Sequence, residues 1–228
     1  MTGMITDSRT AISSMQTYQK DFIEFAINHK VLCFGDYTLK SGRHSPYFFN
    51  TGLFSDGASL ATLGHFYATA ITASGIEYDM LFGPAYKGIP LATAVALALA
   101  GPFRRNVPFC FNRKEIKDHG EGGMLFGAGL AGKVLIVDDV ISAGTSVNNS
   151  VAIIRQAGAV PAGVAVAMDR QERGEGPFSA VQETEQRHRV KVISIVTLDN
   201  VIEYLEGLRD MKTKLERISD YRKLYGVT

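Results

Sequence analysis

Apolar positions along this 228-residue chain fall into two rhythms. Some runs are apolar at nearly every position, as a strand buried on both faces must be. Residues 78–82, 107–111, 133–137, 162–168 and 190–198 read this way. Elsewhere apolar residues recur three or four apart and mark one face of a helix. Tyr18, Phe22, Phe25 and Ala26 predict a helix over 15–29, and Leu60, Leu63, Gly64, Tyr67 and Ile71 predict a second. The Ala-rich run 89–100 predicts a third, packed closely on a sheet, and Val147, Val151 and Ile154 predict a fourth. Val201, Leu205 and Leu208, then Met211, Leu215 and Ile218, predict two more. Strands alternating with helices imply an α/β fold with a central, mostly parallel sheet flanked by helices.

Two stretches break the rhythm. Residues 34–50 hold aromatics, Gly42 and Pro46, and read as short strands and turns. Residues 113–129 are polar and Gly-rich with no apolar period, and read as a loop. Residues 1–14 form a polar extension, leaving 15–228 as a single domain.

Composition narrows the function classes. The hydrophobic content of 46% suits a full core, and the formal net charge of +1 leaves no broad basic field for nucleic acid. No segment has the apolar length of a membrane helix. Cys33 and Cys110 both sit among apolar neighbours and read as buried thiols of a reducing compartment, so a cytoplasmic enzyme is expected.

The chemistry concentrates at the end of the run 133–137. Asp138 and Asp139 follow it, then Val140, Ile141, Ser142, Ala143, Gly144, Thr145 and Ser146, then a helix. A buried strand, a small-residue loop and a helix N-terminus in that order make an anion site, with unpaired N–H donors and a partial positive charge. No Gly-Lys-Ser/Thr and no Gly-x-Gly-x-x-Gly stands there, so it is neither a Walker A loop nor a dinucleotide fingerprint. Carboxylates repel phosphate, so the acidic pair must face another part of the ligand. A ribose diol, or a hydrated Mg²⁺ bound to it, meets that need.

This run resembles the phosphoribosyl pyrophosphate signature of the type I phosphoribosyltransferases. In that family the acidic pair holds the ribose hydroxyls, the loop holds the 5-phosphate, and a metal-bound pyrophosphate leaves from C1. A second turn, Gly83 to Gly88, also links a strand to a helix, and it looks like the family's pyrophosphate loop, with Tyr86 and Lys87 as contacts.

Residues 113–123 carry Arg113, Lys114, Lys117 and His119 among acids, with Gly120, Gly122 and Gly123 as hinge positions. The segment is long for an ordinary connection. It resembles the catalytic loop of orotate phosphoribosyltransferases, which reaches into the neighbouring subunit's site. The resemblance implies a homodimer with shared active sites, and assigns Arg113, Lys114, Lys117 and His119 to the pyrophosphate side.

Two further runs resemble that family. Around Lys40, the string ending in Phe48-Phe49 looks like the family's small N-terminal hood, implied here over about 15–55, in which the Phe pair flanks a flat pyrimidine and the lysine contacts the ribosyl donor. Arg170, after the run 162–168, can grip a carboxylate through two parallel N–H bonds. Orotate is a pyrimidine bearing a carboxylate, and Arg170 would tell it from uracil. The resemblance therefore implies transfer of phosphoribosyl from PRPP to orotate with Mg²⁺. Lys117, Asp138, Asp139, Arg113 and His119 are the implied catalytic set. Phe48, Phe49, Ser142 and Arg170 are the implied acceptor contacts. Ser142 stands where threonine is common, with the hydroxyl kept.

Overall fold

Helix α1 (Thr17–Asn28) opens the fold and buries Phe22, Ile23 and Ala26. The computed structural model describes residues 15–39, 41–117, 123–142, 144–174 and 176–227, with the backbone alone at 115–117 and 123. The extension 1–14 lies outside them. Strands β1 (Leu32–Thr38) and β2 (His44–Phe49) pair antiparallel as a two-stranded sheet, with Gly42 at φ 81° in the turn between them.

Next come α2 (Gly57–Ser74), β3 (Met80–Gly83) and α3 (Gly88–Ala100). Asp56 caps α2 by accepting from Ser59 N at 2.9 Å. A methyl group at Gly64 would sit 2.5 Å from the Ala94 carbonyl oxygen. Only glycine therefore lets α2 and α3 approach so closely. The chain continues through β4 (Phe109–Lys117), β5 (Gly123–Gly127), β6 (Lys133–Val137), α4 (Thr145–Gln156) and β7 (Val160–Asp169). It ends with α5 (Ala180–His188), β8 (Lys191–Thr197), α6 (Leu198–Glu206) and α7 (Lys212–Tyr225).

The main sheet has the order β5-β4-β3-β6-β7-β8, parallel except for β5. Strand alternation divides its side chains between two cores. Leu81, Leu135, Val137, Ala165 and Ala167 face a core shared with Phe22, Leu63, Val95, Val201 and Ile218. Phe82, Ile136, Val164 and Val166 face a second, with Val147, Val151 and Ile154 of α4. Burial of each large aliphatic or aromatic side chain contributes about 1.5–3 kcal/mol.

The structure corrects three expectations and adds one helix. The polar run after Phe111 is not a loop throughout. β4 continues to Lys117 and pairs antiparallel with β5, because ladder hydrogen bonds hold a two-stranded arm that has no apolar period. Helix α5 was not legible as a periodic pattern. It is polar, and Ser179 starts it by accepting from Gln182 N at 3.1 Å. Cys110 is buried, but Cys33 is only half-buried, its thiol donating to Lys30 O at 3.1 Å. Phe48 and Phe49 do not share one face. Phe48 is exposed and stacks on Tyr37 with ring centroids 5.4 Å apart, while Phe49 packs on the core 6.4 Å from Phe22.

Candidate active site

Strands β3 and β6 are neighbours, and their following helices pack on opposite faces of the sheet. The crevice beyond their C-terminal ends is the topological switch point, where open α/β sheets bind ligands. The two loops singled out in the sequence leave from these two strands.

The first loop, between β3 and α3, fits tightly against the second. A methyl at Gly83 would lie 2.2 Å from Gly88 O, and one at Gly88 would lie 2.9 Å from Val137 O. The Ala85–Tyr86 peptide is cis. Asn112 of β4 fixes the loop by accepting from Ala85 N at 2.9 Å. Tyr86 is exposed, and Lys114 Nζ stands 4.5 Å from its ring centroid. Arg113 lies over the Phe126 ring at 5.6 Å. The base of the β4–β5 arm therefore overhangs this loop. Lys87 Nζ reaches across to Asp139 Oδ2 at 2.6 Å.

The second loop begins with the acidic pair, and the two carboxylates do different things. Asp138 is buried. Its Oδ1 accepts from Asp139 N at 2.9 Å and its Oδ2 from Ser146 Oγ at 2.7 Å. Its carbonyl accepts from the hydroxyl of Tyr67, a fully buried residue of α2, at 2.7 Å. Burial pushes the Asp138 carboxyl up to about 6, against the Ser146 bond, with the neighbouring Asp139 charge adding to the rise. Asp139 Oδ1 accepts from Val140 N at 2.8 Å, and its Oδ2 meets Lys87 and, at 3.4 Å, Thr51 Oγ1.

Gly144, at φ 70°, turns the chain into α4. Ser142, Thr145 and Ser146 are exposed around a cleft of about 290 Å³ of non-protein space at the helix N-terminus. Ser146 already donates its hydroxyl to Asp138, leaving its backbone N–H for a ligand. Val140 packs on the first core and Ile141 on the second, so both offer a ligand only backbone. Ala143 lies outside the described residues, as do Lys40, His119 and the side chain of Lys117.

Arg170 stands just past β7 and faces the hood. Its Nε donates to Glu172 Oε1 at 2.9 Å, its Nη2 lies 2.6 Å from the same oxygen, and its guanidinium covers the Tyr47 ring at 4.3 Å. Tyr47 donates its hydroxyl to Glu172 at 3.0 Å, and Arg43 lies 3.7 Å from the other Glu172 oxygen. One edge of the Arg170 fork is thus held by a carboxylate of the protein itself. The segment carrying it is stitched to the chain's last residues. Arg173 N donates to Tyr225 O at 2.7 Å, and Val227 N to Gln171 O at 2.9 Å.

Sequence reading missed Thr51, Tyr67, Asn112 and Glu172. Tyr67 reads as core by its spacing, and its hydroxyl could be placed only by the fold. Glu172, two residues from Arg170, carried the one available signal. Among the described residues, no group of three or more His, Cys, Asp and Glu side chains could hold a metal. A Mg²⁺ ion that kept its waters and arrived on a diphosphate would need no such group, and the Asp138–Asp139 pair fits one, with the Asp139 carboxylate turned toward the other loop.

Residues 55–198 match the phosphoribosyl transferase domain family. The chain is 58% identical over 213 residues to an orotate phosphoribosyltransferase of Cellvibrio japonicus, covering 93% of this chain and 99% of that protein. It is also 58% identical over 214 residues to one of Yersinia pestis, covering 94% of this chain and 100% of that protein. A crystal structure of the Francisella tularensis orotate phosphoribosyltransferase superposes with a TM-score of 0.83 at 42% identity, covering 90% of this chain and 99% of that one.

Proposed function

Since the chain belongs to the orotate phosphoribosyltransferases of the type I phosphoribosyltransferase family, we propose that it joins the ribosyl C1 of PRPP to N1 of orotate. The products are orotidine 5′-monophosphate and pyrophosphate, a step of de novo pyrimidine (UMP) synthesis. The observation that carries this reading is the line of groups across the switch point. Lys87 stands at one end, the Asp138–Asp139 pair in the middle and the α4 N-terminus at the other. That order matches a sugar with phosphoryl groups at both ends.

The 5-phosphate takes the N–H groups at the start of α4 and the hydroxyls of Ser142 and Thr145. The ribose hydroxyls meet Asp139, while Asp138 holds the turn in place. The C1–O bond breaks with its electron pair leaving on pyrophosphate, N1 of orotate bonds to C1, and the N1 proton passes to solvent. Lys87, Arg113 and Lys114 meet the leaving group's charge, joined by Lys40, Lys117 and His119 as the family resemblance assigns. When bound, Mg²⁺ would supply further charge neutralisation on the diphosphate, and Asp139 would be the residue to hold it. Arg170 takes the orotate carboxylate, with the exposed hood residue Phe48 beside the ring and Phe49 bracing the hood from its core side. Positioning and charge stabilisation carry the rate.

The protein acts as a homodimer in which the arm 113–123 serves the neighbouring site, and it works in the cytoplasm. No helix among the described residues is long and apolar enough to cross a membrane. The test is pyrophosphate release from PRPP with orotate, uracil, hypoxanthine and adenine as acceptors. Release with orotate alone supports the reading, and release with a purine instead overturns it.

A further inference from the structure

Among the described residues, four other than glycine take a positive φ: Lys30, Arg104, Gln171 and Arg189. Such a conformation crowds Cβ against the backbone and persists only where its surroundings enforce it. Lys30, Arg104 and Arg189 follow α1, α3 and α5, where a chain leaving a helix commonly passes through the left-handed region. Gln171, at φ 52°, follows a strand instead. It is the residue after Arg170, at the sheet edge where ligands bind.

The surroundings that enforce it are explicit. Gln171 N donates to Asp169 Oδ1 at 2.8 Å, and Gln171 O accepts from Val227 N at 2.9 Å. The Gln171 side chain reaches the start of α6 and meets Asp199 at two points. Its Nε2 donates to Asp199 Oδ2 at 2.9 Å, and its Oε1 accepts from Asp199 N at 2.9 Å. That N–H is one of the first-turn donors a helix cannot satisfy itself. The other Asp199 oxygen meets Arg222 Nη2 of α7 at 2.6 Å. A carboxamide carries donor and acceptor side by side, so glutamine suits this match where glutamate would set two carboxylates face to face. Arg170 and Glu172, on either side of Gln171, turn the other way, to Tyr47 of the hood.

We propose that Gln171 and Asp199 are positioning residues for the acceptor: their two-point bond holds the backbone after Arg170 in the left-handed conformation, and so aims the Arg170 guanidinium at the acceptor's carboxylate. Both act through Arg170. A planar fork grips a carboxylate through two parallel bonds only when its own base is fixed, so the aim sets acceptor affinity. None of the partners Asp169, Asp199, Arg222 and Val227 belongs to the loops 83–88 and 138–146, so loss of the bond should spare the cradle of the phosphoribosyl donor. The inference rests on the assignment of orotate's carboxylate to Arg170 made above.

Steady-state kinetics on the full chain test it. Gln171→Glu sets a carboxylate against Asp199 and should raise the orotate KM roughly tenfold, as loss of a hydrogen bond to a charged group does. The PRPP KM and kcat should stay within about twofold, where a general packing defect would move all three. Adding Asp199→Asn gives the new carboxylate a donor and should return the orotate KM to within about threefold of the parent. Gln171→Gly relieves the strain and loses both side-chain bonds. It should raise the orotate KM in the same way, and it carries the test if the charged variant does not fold. An orotate KM unmoved by either Gln171 variant, a PRPP KM raised as much as the orotate KM, or no recovery on adding Asp199→Asn overturns the proposal. Arg170→Ala separates the two levels. A raised orotate KM there, to which Gln171→Gly adds its full increment again, sinks the positioning role alone, and an unchanged KM there sinks the carboxylate assignment beneath it.

Discussion

Lys87 Nζ lies 2.6 Å from Asp139 Oδ2, so the cation of one loop neutralises the carboxylate of the other across the switch point. Under the proposed function PRPP parts them, drawing Lys87 to its diphosphate and Asp139 to its ribose. The Lys87 side chain is 54% exposed, and such a pair contributes little to stability, about 0–1 kcal/mol. Lys87→Ala should therefore melt within a few degrees of the parent while pyrophosphate release drops by roughly 10²-fold. A large loss of thermal stability in that variant would show that the pair is structural instead.

Asp138 makes a pH prediction with a definite sign. Its carboxyl is raised from 3.8 to about 6 in the fold, chiefly by burial. Between those values the native state binds the extra proton, so stability falls as pH rises through that window, by roughly 3 kcal/mol. Above about 6 the loss is complete. Asp138→Asn lacks this dependence. The melting temperature of the parent minus that of the variant should shrink between pH 4 and pH 7. A constant difference would disprove the buried, proton-holding state.

Tyr67→Phe removes the hydroxyl that donates to the Asp138 carbonyl at 2.7 Å. The ring stays in its core site, but a buried carbonyl loses its donor, which costs about 1–3 kcal/mol. We expect a lowered melting temperature together with a several-fold rise in the PRPP KM, because the turn bearing both acids loosens. Calorimetric melting and initial rates on the same preparation check this, and unchanged PRPP affinity would limit Tyr67 to packing.

Sharing of the arm 113–123 predicts subunit complementation. Lys117→Ala and Asp139→Asn proteins should each be nearly inactive. Mixed dimers carry one site with both partners intact and should regain activity. Mixed dimers proven by mass spectrometry but still inactive would place each arm over its own site.

How far the fold was legible follows from burial. Leu81 and Phe82, or Leu135 and Ile136, point to opposite cores, and two buried faces leave an uninterrupted apolar run. Helix α4 showed itself through Val147, Val151 and Ile154, because one face is dry and the other wet. Helix α5 did not, because only Thr184 of it is buried. The strand character of residues 112–117 was hidden, because its ladder joins an arm rather than a core. Within the site, residues contiguous in sequence were readable, whereas Lys87 and Asp139 are 52 positions apart and meet only through the pairing of β3 with β6. The hold of Glu172 on Arg170 reads in sequence as an ordinary surface ion pair. Its near-exclusion from water, with the Arg170 guanidinium laid over the Tyr47 ring, is what changes its meaning.

The stitches from Arg173 to Tyr225 and from Gln171 to Val227 give the final helix an unexpected office. If Arg170 selects the base as proposed, that selection is anchored from behind by the last residues of the described chain. Clipping the polypeptide after Asp220 would accordingly leave the diphosphate cradle standing and blunt its judgement of which ring to accept.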